Sequence, residues 1–280
     1  MVITDAQAHI WDAETPERPW PEGGHARARS ASYSAEELIA EMNRAGIAAA
    51  VLVPPSFQGD SNETYLRAYR QYPARFRIMG RLNLADPANR GRLAQWREQP
   101  GMLGVRLTFS RGEQAQWLDD GTADWVWAEA EASGVPAMVF APDLLDRVGE
   151  IARKHPGLKL VLDHLGMRTT VRDRDIDPVL DDLVQLARYD NVAVKASGLP
   201  SNVTDDYPHR SLQNRIRRVV EAFGPNRVFW GSDITRLRGS YAQVRDLFLR
   251  ELPFLTEDDL GWIMGGGLRE WIGWSEPIEG

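Results

Sequence analysis

The chain has 280 residues, 43% of them hydrophobic, a net charge of −7 and no cysteine. That length and apolar content allow one large α/β barrel or two smaller domains. The charge opposes nucleic acid and anionic membranes, and the lack of cysteine excludes disulfides and thiolate metal sites.

Eight short apolar, β-rich runs recur along the chain, at 2–10, 48–54, 76–83, 102–108, 135–141, 159–166, 191–198 and 227–233. Helical periodicity fills the gaps. Ser34-Ala35-Glu36-Glu37 reads as a capping box, and Gly46 stops the helix that follows. Further helices are expected at 62–72, 89–98, 123–133, 143–155, 177–188, 211–223 and 241–250, and one more runs from Thr256 towards Glu270. Strict alternation of the two periods predicts a single-domain parallel (β/α)8 TIM barrel over residues 1–280. An open doubly wound sheet has less support, because no Gly-rich phosphate turn follows the first strand. The longest irregular stretch, 13–33, follows strand one and would lie over the mouth of a barrel. It is either a surface loop or a segment in which Trp20, His25 and Tyr33 close on a substrate. No apolar run reaches the length of a membrane span. The opening MVITDAQAHIWD has no basic or apolar leader pattern, so a cytoplasmic protein is expected.

Chemistry in such barrels sits at the C-terminal ends of the strands. Polar residues collect there: Gln7 and His9, Arg81 and Asn83, Arg106 and Thr108, Asp163 and His164, Lys195 and Ser197, then Ser232 and Asp233. A charge inside a barrel is costly unless paired or hydrated, so polar ends on six of eight strands point to a shared site. Gln7 and His9 are two apart, hence on one face of their strand. Two histidines at that spacing would begin a metal site; here one is glutamine. His25, His155 and His209 fall at loops or helix ends and read as surface residues.

Five motifs carry a resemblance: DAQAHIWD at 5–12, GVRL at 104–107, LDHLG at 162–166, VKASG at 194–198 and FWGSD at 229–233. With LTEDDLGWIMGGG at 255–267, they span nearly the whole chain. Together they resemble the amidohydrolase-related family of the amidohydrolase superfamily, nearest to its sugar-lactone and pyrone-dicarboxylate lactonase branch. The resemblance implies two histidines on strand one, one ending strand five, one ending strand six, and an aspartate ending strand eight. His9, His164 and Asp233 match. Gln7 stands in place of the first histidine, and Phe140 where the strand-five histidine would be. A carboxamide oxygen is a poor zinc ligand and a phenyl ring is none. A metal-independent hydrolase of a small lactone or cyclic ester is therefore expected, with no cofactor. One divalent ion such as zinc on His9, His164 and Asp233 is the alternative, in an amidohydrolase or a non-oxidative decarboxylase. An inactive ligand-binding barrel is the third reading.

Without metal, hydrolysis needs an activated water and a polarised carbonyl. Asp233 is the expected base, with His9 and His164 as carbonyl donors and Gln7 orienting. Arg81 and Arg106 suit a substrate carboxylate, and Lys195 either joins them or pairs with Asp233 or Asp163. Trp11 and Phe140 are expected as apolar walls. Arg27 and Arg29 read as a solvated run that adds to anion binding at most. The expected partner is a small molecule; self-association as a homo-oligomer is left open.

Overall fold

Eight runs of small and branched apolar residues form eight parallel strands in a computed structural model, which describes residues 1–20, 30–110 and 112–278. The strands are β1 (Thr4–Ala8), β2 (Ala49–Leu52), β3 (Phe76–Gly80), β4 (Met102–Thr108), β5 (Ala137–Phe140), β6 (Leu160–Leu162), β7 (Val192–Ser197) and β8 (Val228–Gly231). They neighbour one another in chain order, and helices pack outside, giving a (β/α)8 barrel. Their two-sided burial explains why they read as continuous apolar runs. One side faces the helices; the other builds an inner cluster of Ala6, Val51, Met79, Met138, Val161 and Phe229.

The helices are α1 (Ala35–Ala45), α2 (Glu63–Gln71), α3 (Asp124–Ala132), α4 (Leu145–Lys154), α5 (Ile176–Gln185), α6 (Arg210–Phe223), α7 (Tyr241–Arg250), α8 (Glu257–Gly261) and α9 (Gly267–Ile272). The capping box before α1 is present: Ser34 Oγ accepts from the Glu37 N–H and the Glu37 carboxylate from the Ser34 N–H. Leu268, Ile272 and Trp274 close the inner cluster from the C-terminal segment. Among the described residues no helix is long and apolar enough to cross a membrane.

Two expected helices differ. Residues 89–98 form 3-10 turns, Pro87–Asn89 and Arg92–Glu98, with Pro87 and Gly91 interrupting helical propagation. The helix from Thr256 is broken by a π-turn at Trp262–Gly266. There Gly265 has φ 149°, and a Cβ on it would lie 2.9 Å from the Thr4 side chain. His209 is not a surface residue: it is buried and its Nδ1 lies 2.8 Å from Asp205 O. His155 is partly buried against Glu131. At the base of the 13–33 segment, Trp11 and Tyr33 exchange backbone hydrogen bonds of 2.9 and 2.8 Å. Trp20 packs 5.2 Å from Phe57. His25, Arg27 and Arg29 lie outside the described residues.

The seam between β8 and β1 is tied by a side chain. Asp5 Oδ1 accepts from the backbone N–H of Gln7 (2.8 Å) and of Ser232 (2.9 Å). Its Oδ2 accepts from the hydroxyls of Ser232 and Tyr241. The Asp233 N–H then reaches Gln7 O at 2.9 Å, setting the last strand's tip beside the first.

Candidate active site

Asp233 follows β8 with φ 52°, and His164 follows β6 with φ 55°. Left-handed backbone is uncommon outside glycine and gathers where function compensates its cost. Here it turns two side chains towards one point. Asp233 Oδ2 lies 3.5 Å from His164 Nδ1, and Asp233 Oδ1 lies 3.1 Å from His9 Nε2. Gly198 (φ 66°) makes the approach: a Cβ there would sit 2.9 Å from Asp233 Oδ2.

The two carboxylate oxygens differ. Oδ1 is held by His9 and by the Thr235 hydroxyl at 3.0 Å. Oδ2 has no hydrogen-bond partner among the described residues, with Arg236 Nη1 3.5 Å away. Burial would raise the Asp233 carboxyl, but His164, the His9 hydrogen bond and Arg236 outweigh it and hold it well below the usual carboxylate range.

His9 Nδ1–H donates to Val53 O at 2.5 Å, which fixes the ring and turns Nε2 to Asp233. His164 Nδ1 meets the Ser197 hydroxyl at 2.9 Å, and the ring packs edge-on against Phe140 with centroids 5.5 Å apart. Burial is the main cause that lowers His164 to about 4; Asp233 opposes it, while Arg236 and Arg106 add to it. An unfolded histidine protonates near 6.5, so between the two values the unfolded chain binds more protons and folding weakens as pH falls. The loss is about 3 kcal/mol, complete near pH 4. Urea melts at pH 7 and pH 4.5 are expected to show most of it in the wild type and little in His164→Asn. Identical pH sensitivity of the two would refute the assignment.

A second polar cluster faces this one across the barrel mouth. Thr108 Oγ1 accepts from Arg81 Nη1 (3.0 Å) and from Arg106 Nη1 (2.7 Å). Arg81 Nε donates to Asp60 at 3.2 Å, and Arg106 Nε to Asp163 at 2.9 Å. Burial lowers Arg81, and the Arg106 guanidinium adds to this. Burial would raise Asp163, but Lys195 and Arg106 hold it well below the usual carboxylate range.

A cavity of about 890 Å³ opens between the clusters. Gln7, His9, Arg81, Arg106, Phe140, His164 and Asp233 all line it, as do Asp60, Phe57 and Arg236. Two expected contacts are displaced. Trp11 is buried behind the wall, its ring against Tyr33 and Phe57 and its Nε1 donating to Ser30 O. Lys195 is fully buried beneath Gln7 and pairs with Asp163, not Asp233. Sequence reasoning missed Asp5, Asp60, Thr235 and Arg236. Asp5 carried a signal, a carboxylate within the fully buried run of β1.

The donors fit a metal ion poorly. Gln7 Oε1 accepts from Lys195 Nζ at 2.6 Å, so the face left for the site is an NH2 donor, 3.4 Å from His9 Nε2. Phe140 supplies no ligand, and a buried ammonium behind Gln7 repels a dication. Among the described residues no group of three His, Cys, Asp or Glu side chains is arranged to hold an ion.

The amidohydrolase family model matches residues 4–267. An L-fucono-1,5-lactonase of Burkholderia ambifaria is 24% identical over 246 residues, covering 85% of this chain and 82% of its own length. An L-fucono-1,5-lactonase of Burkholderia multivorans is 26% identical over 265 residues, covering 88% and 87%. A solved structure of an amidohydrolase from Burkholderia multivorans, with bound zinc, superposes with a TM-score of 0.82 at 22% identity, covering 98% of this chain and 99% of its own.

Proposed function

The chain belongs to the amidohydrolase family and is a hydrolase of ester bonds, and on that premise we propose that it opens a small anionic lactone without a metal ion. The observation that carries this reading is Asp233 Oδ2, a buried carboxylate oxygen with no hydrogen-bond partner among the described residues, flanked by His164 and Arg236 on a residue that lines the cavity. A water there gives its proton to Asp233. Its oxygen attacks the lactone carbonyl carbon, the ring C–O bond breaks, and the departing alkoxide takes the proton back.

The developing oxyanion needs donors. His164 Nε2 has no hydrogen-bond partner among the described residues, and Ser197 O–H donating to Nδ1 leaves Nε2 its proton. The Gln7 amide is the second donor. His9 is tied by Val53 and steadies Asp233 rather than the carbonyl, a different role from the one the sequence suggested.

Two things support a negative substrate. Four cations, Arg81, Arg106, Lys195 and Arg236, face three carboxylates, Asp60, Asp163 and Asp233. Arg81 and Arg106 each have an Nη2 with no partner among the described residues. A neutral sugar lactone, as the relatives' name describes, is the competing substrate. A panel of lactones with and without a carboxylate, followed by loss of carbonyl absorbance, decides between them. No turnover of either class would refute the reading.

The metal question has its own expected result. Purified protein carries well under one equivalent of zinc or manganese, and chelator leaves turnover intact. Stoichiometric metal whose removal abolishes turnover would show that a metal-dependent reaction runs here.

A further inference from the structure

Lys195 leaves β7 towards the inside of the barrel and is wholly buried. Its Nζ lies 2.6 Å from Gln7 Oε1 and 2.9 Å from Asp163 Oδ1. The contact fixes which way the Gln7 amide points, because the reversed amide would set an NH2 against an ammonium, donor against donor. Gln7 therefore shows the cavity only N–H groups. Arg106 takes the other oxygen of Asp163, so Arg106, Asp163, Lys195 and Gln7 form one chain, joined by a hydrogen bond from Arg106 to Asp163, an ion pair from Asp163 to Lys195 and a hydrogen bond from Lys195 to Gln7. It runs from the arginine wall to the His9–Asp233 corner.

We infer that Lys195 is the resident cation of this site: through Gln7 it keeps a divalent ion away from His9, His164 and Asp233, and it polarises the Gln7 amide as an N–H donor to the substrate carbonyl. A cation is commonly what such a carbonyl needs, and an ammonium relayed through a carboxamide supplies part of it. Lys195 touches no substrate; it is a positioning residue acting through Gln7. The kinetic half of this inference rests on the lactone reading, while the metal half stands apart from it.

Calorimetric zinc titration of the full chain tests the metal half. Gln7→His alone restores a histidine pair but leaves the ammonium in place, and it is expected to take up no stoichiometric zinc. Gln7→His with Lys195→Met is expected to bind one equivalent. Adding Asp163→Asn gives a second variant in which no buried carboxylate has lost its lysine, and thermal melting verifies that each is folded. One equivalent of zinc on Gln7→His alone, as tight as on the double variant, would overturn the inference. So would folded double and triple variants that bind none.

Gln7→Glu tests the donor half. It keeps the side-chain length and the contact with Lys195 but removes the N–H groups. The expected result is a kcat lower by about 10²-fold with KM nearly unchanged, the scale of one lost oxyanion donor. A contact that serves only the fold would leave kcat alone, and unchanged kcat overturns the donor role. If the wild type opens no lactone, the lactone reading fails and the zinc titration still decides the metal half.

Discussion

Asp233→Asn is expected to lower kcat by at least about 10²-fold while KM and the thermal midpoint stay close to wild type. The substitution keeps size and shape. The residue's N–H to Gln7 O and the left-handed turn that aims the side chain belong to the backbone and do not depend on the carboxylate. Asparagine still offers one oxygen to His9 Nε2 and Thr235. What it lacks is a second oxygen able to accept a proton, and Oδ2 is the atom that no hydrogen bond occupies. The arginine wall and Phe140 remain, so binding survives. A near-wild-type rate would mean that water is activated elsewhere. Unfolding would mean that Asp233 is needed to balance Arg236 and the two histidines beside it.

Why that residue was legible is a matter of geometry. A barrel buries both faces of each strand, so a polar residue at a strand's C-terminal end stands out against its apolar run. Gln7, His9, Arg81, Arg106, His164 and Asp233 were visible for that reason, and the cavity joins them. Trp11 was misplaced because β1 ends at Ala8. The chain leaves the barrel there, and the bridge to Tyr33 with the ring contacts to Tyr33 and Phe57 turns Trp11 into the wall. Asp5 was passed over because Ser232 and Tyr241, its hydroxyl partners, lie 227 and 236 residues away. The partner of Lys195 was open for the same reason: Gln7 of β1, Lys195 of β7 and Asp163, just after β6, meet in space, and only the closed barrel decides who pairs. Arg236 belongs to a 3-10 turn after β8, where no periodicity singled it out.

Arg106→Met is expected to weaken transition-state binding of carboxylate-bearing lactones by roughly 2–5 kcal/mol in kcat/KM, and of uncharged lactones much less. The guanidinium has two edges with different duties. Its Nε holds Asp163 at 2.9 Å, a buried ion pair, and its Nη1 holds Thr108 at 2.7 Å. Its Nη2 has no partner among the described residues and is the donor available to a ligand. The substitution therefore removes both a structural pair and an anchor, and the substrate comparison separates them. Loss of the pair with Asp163 is softened because Lys195 Nζ lies 2.9 Å from the other carboxylate oxygen. Whatever it costs the fold is shared by both substrates, whereas loss of the anchor falls on the carboxylate alone. Arg81→Met supplies the control, since Arg81 shares Thr108 but pairs with Asp60, not Asp163. Equal losses for charged and uncharged lactones in Arg106→Met would make Arg106 a purely structural partner of Asp163. If Arg81→Met alone then discriminated between the substrates, the anchor would be Arg81; if neither did, the substrate would not be an anion.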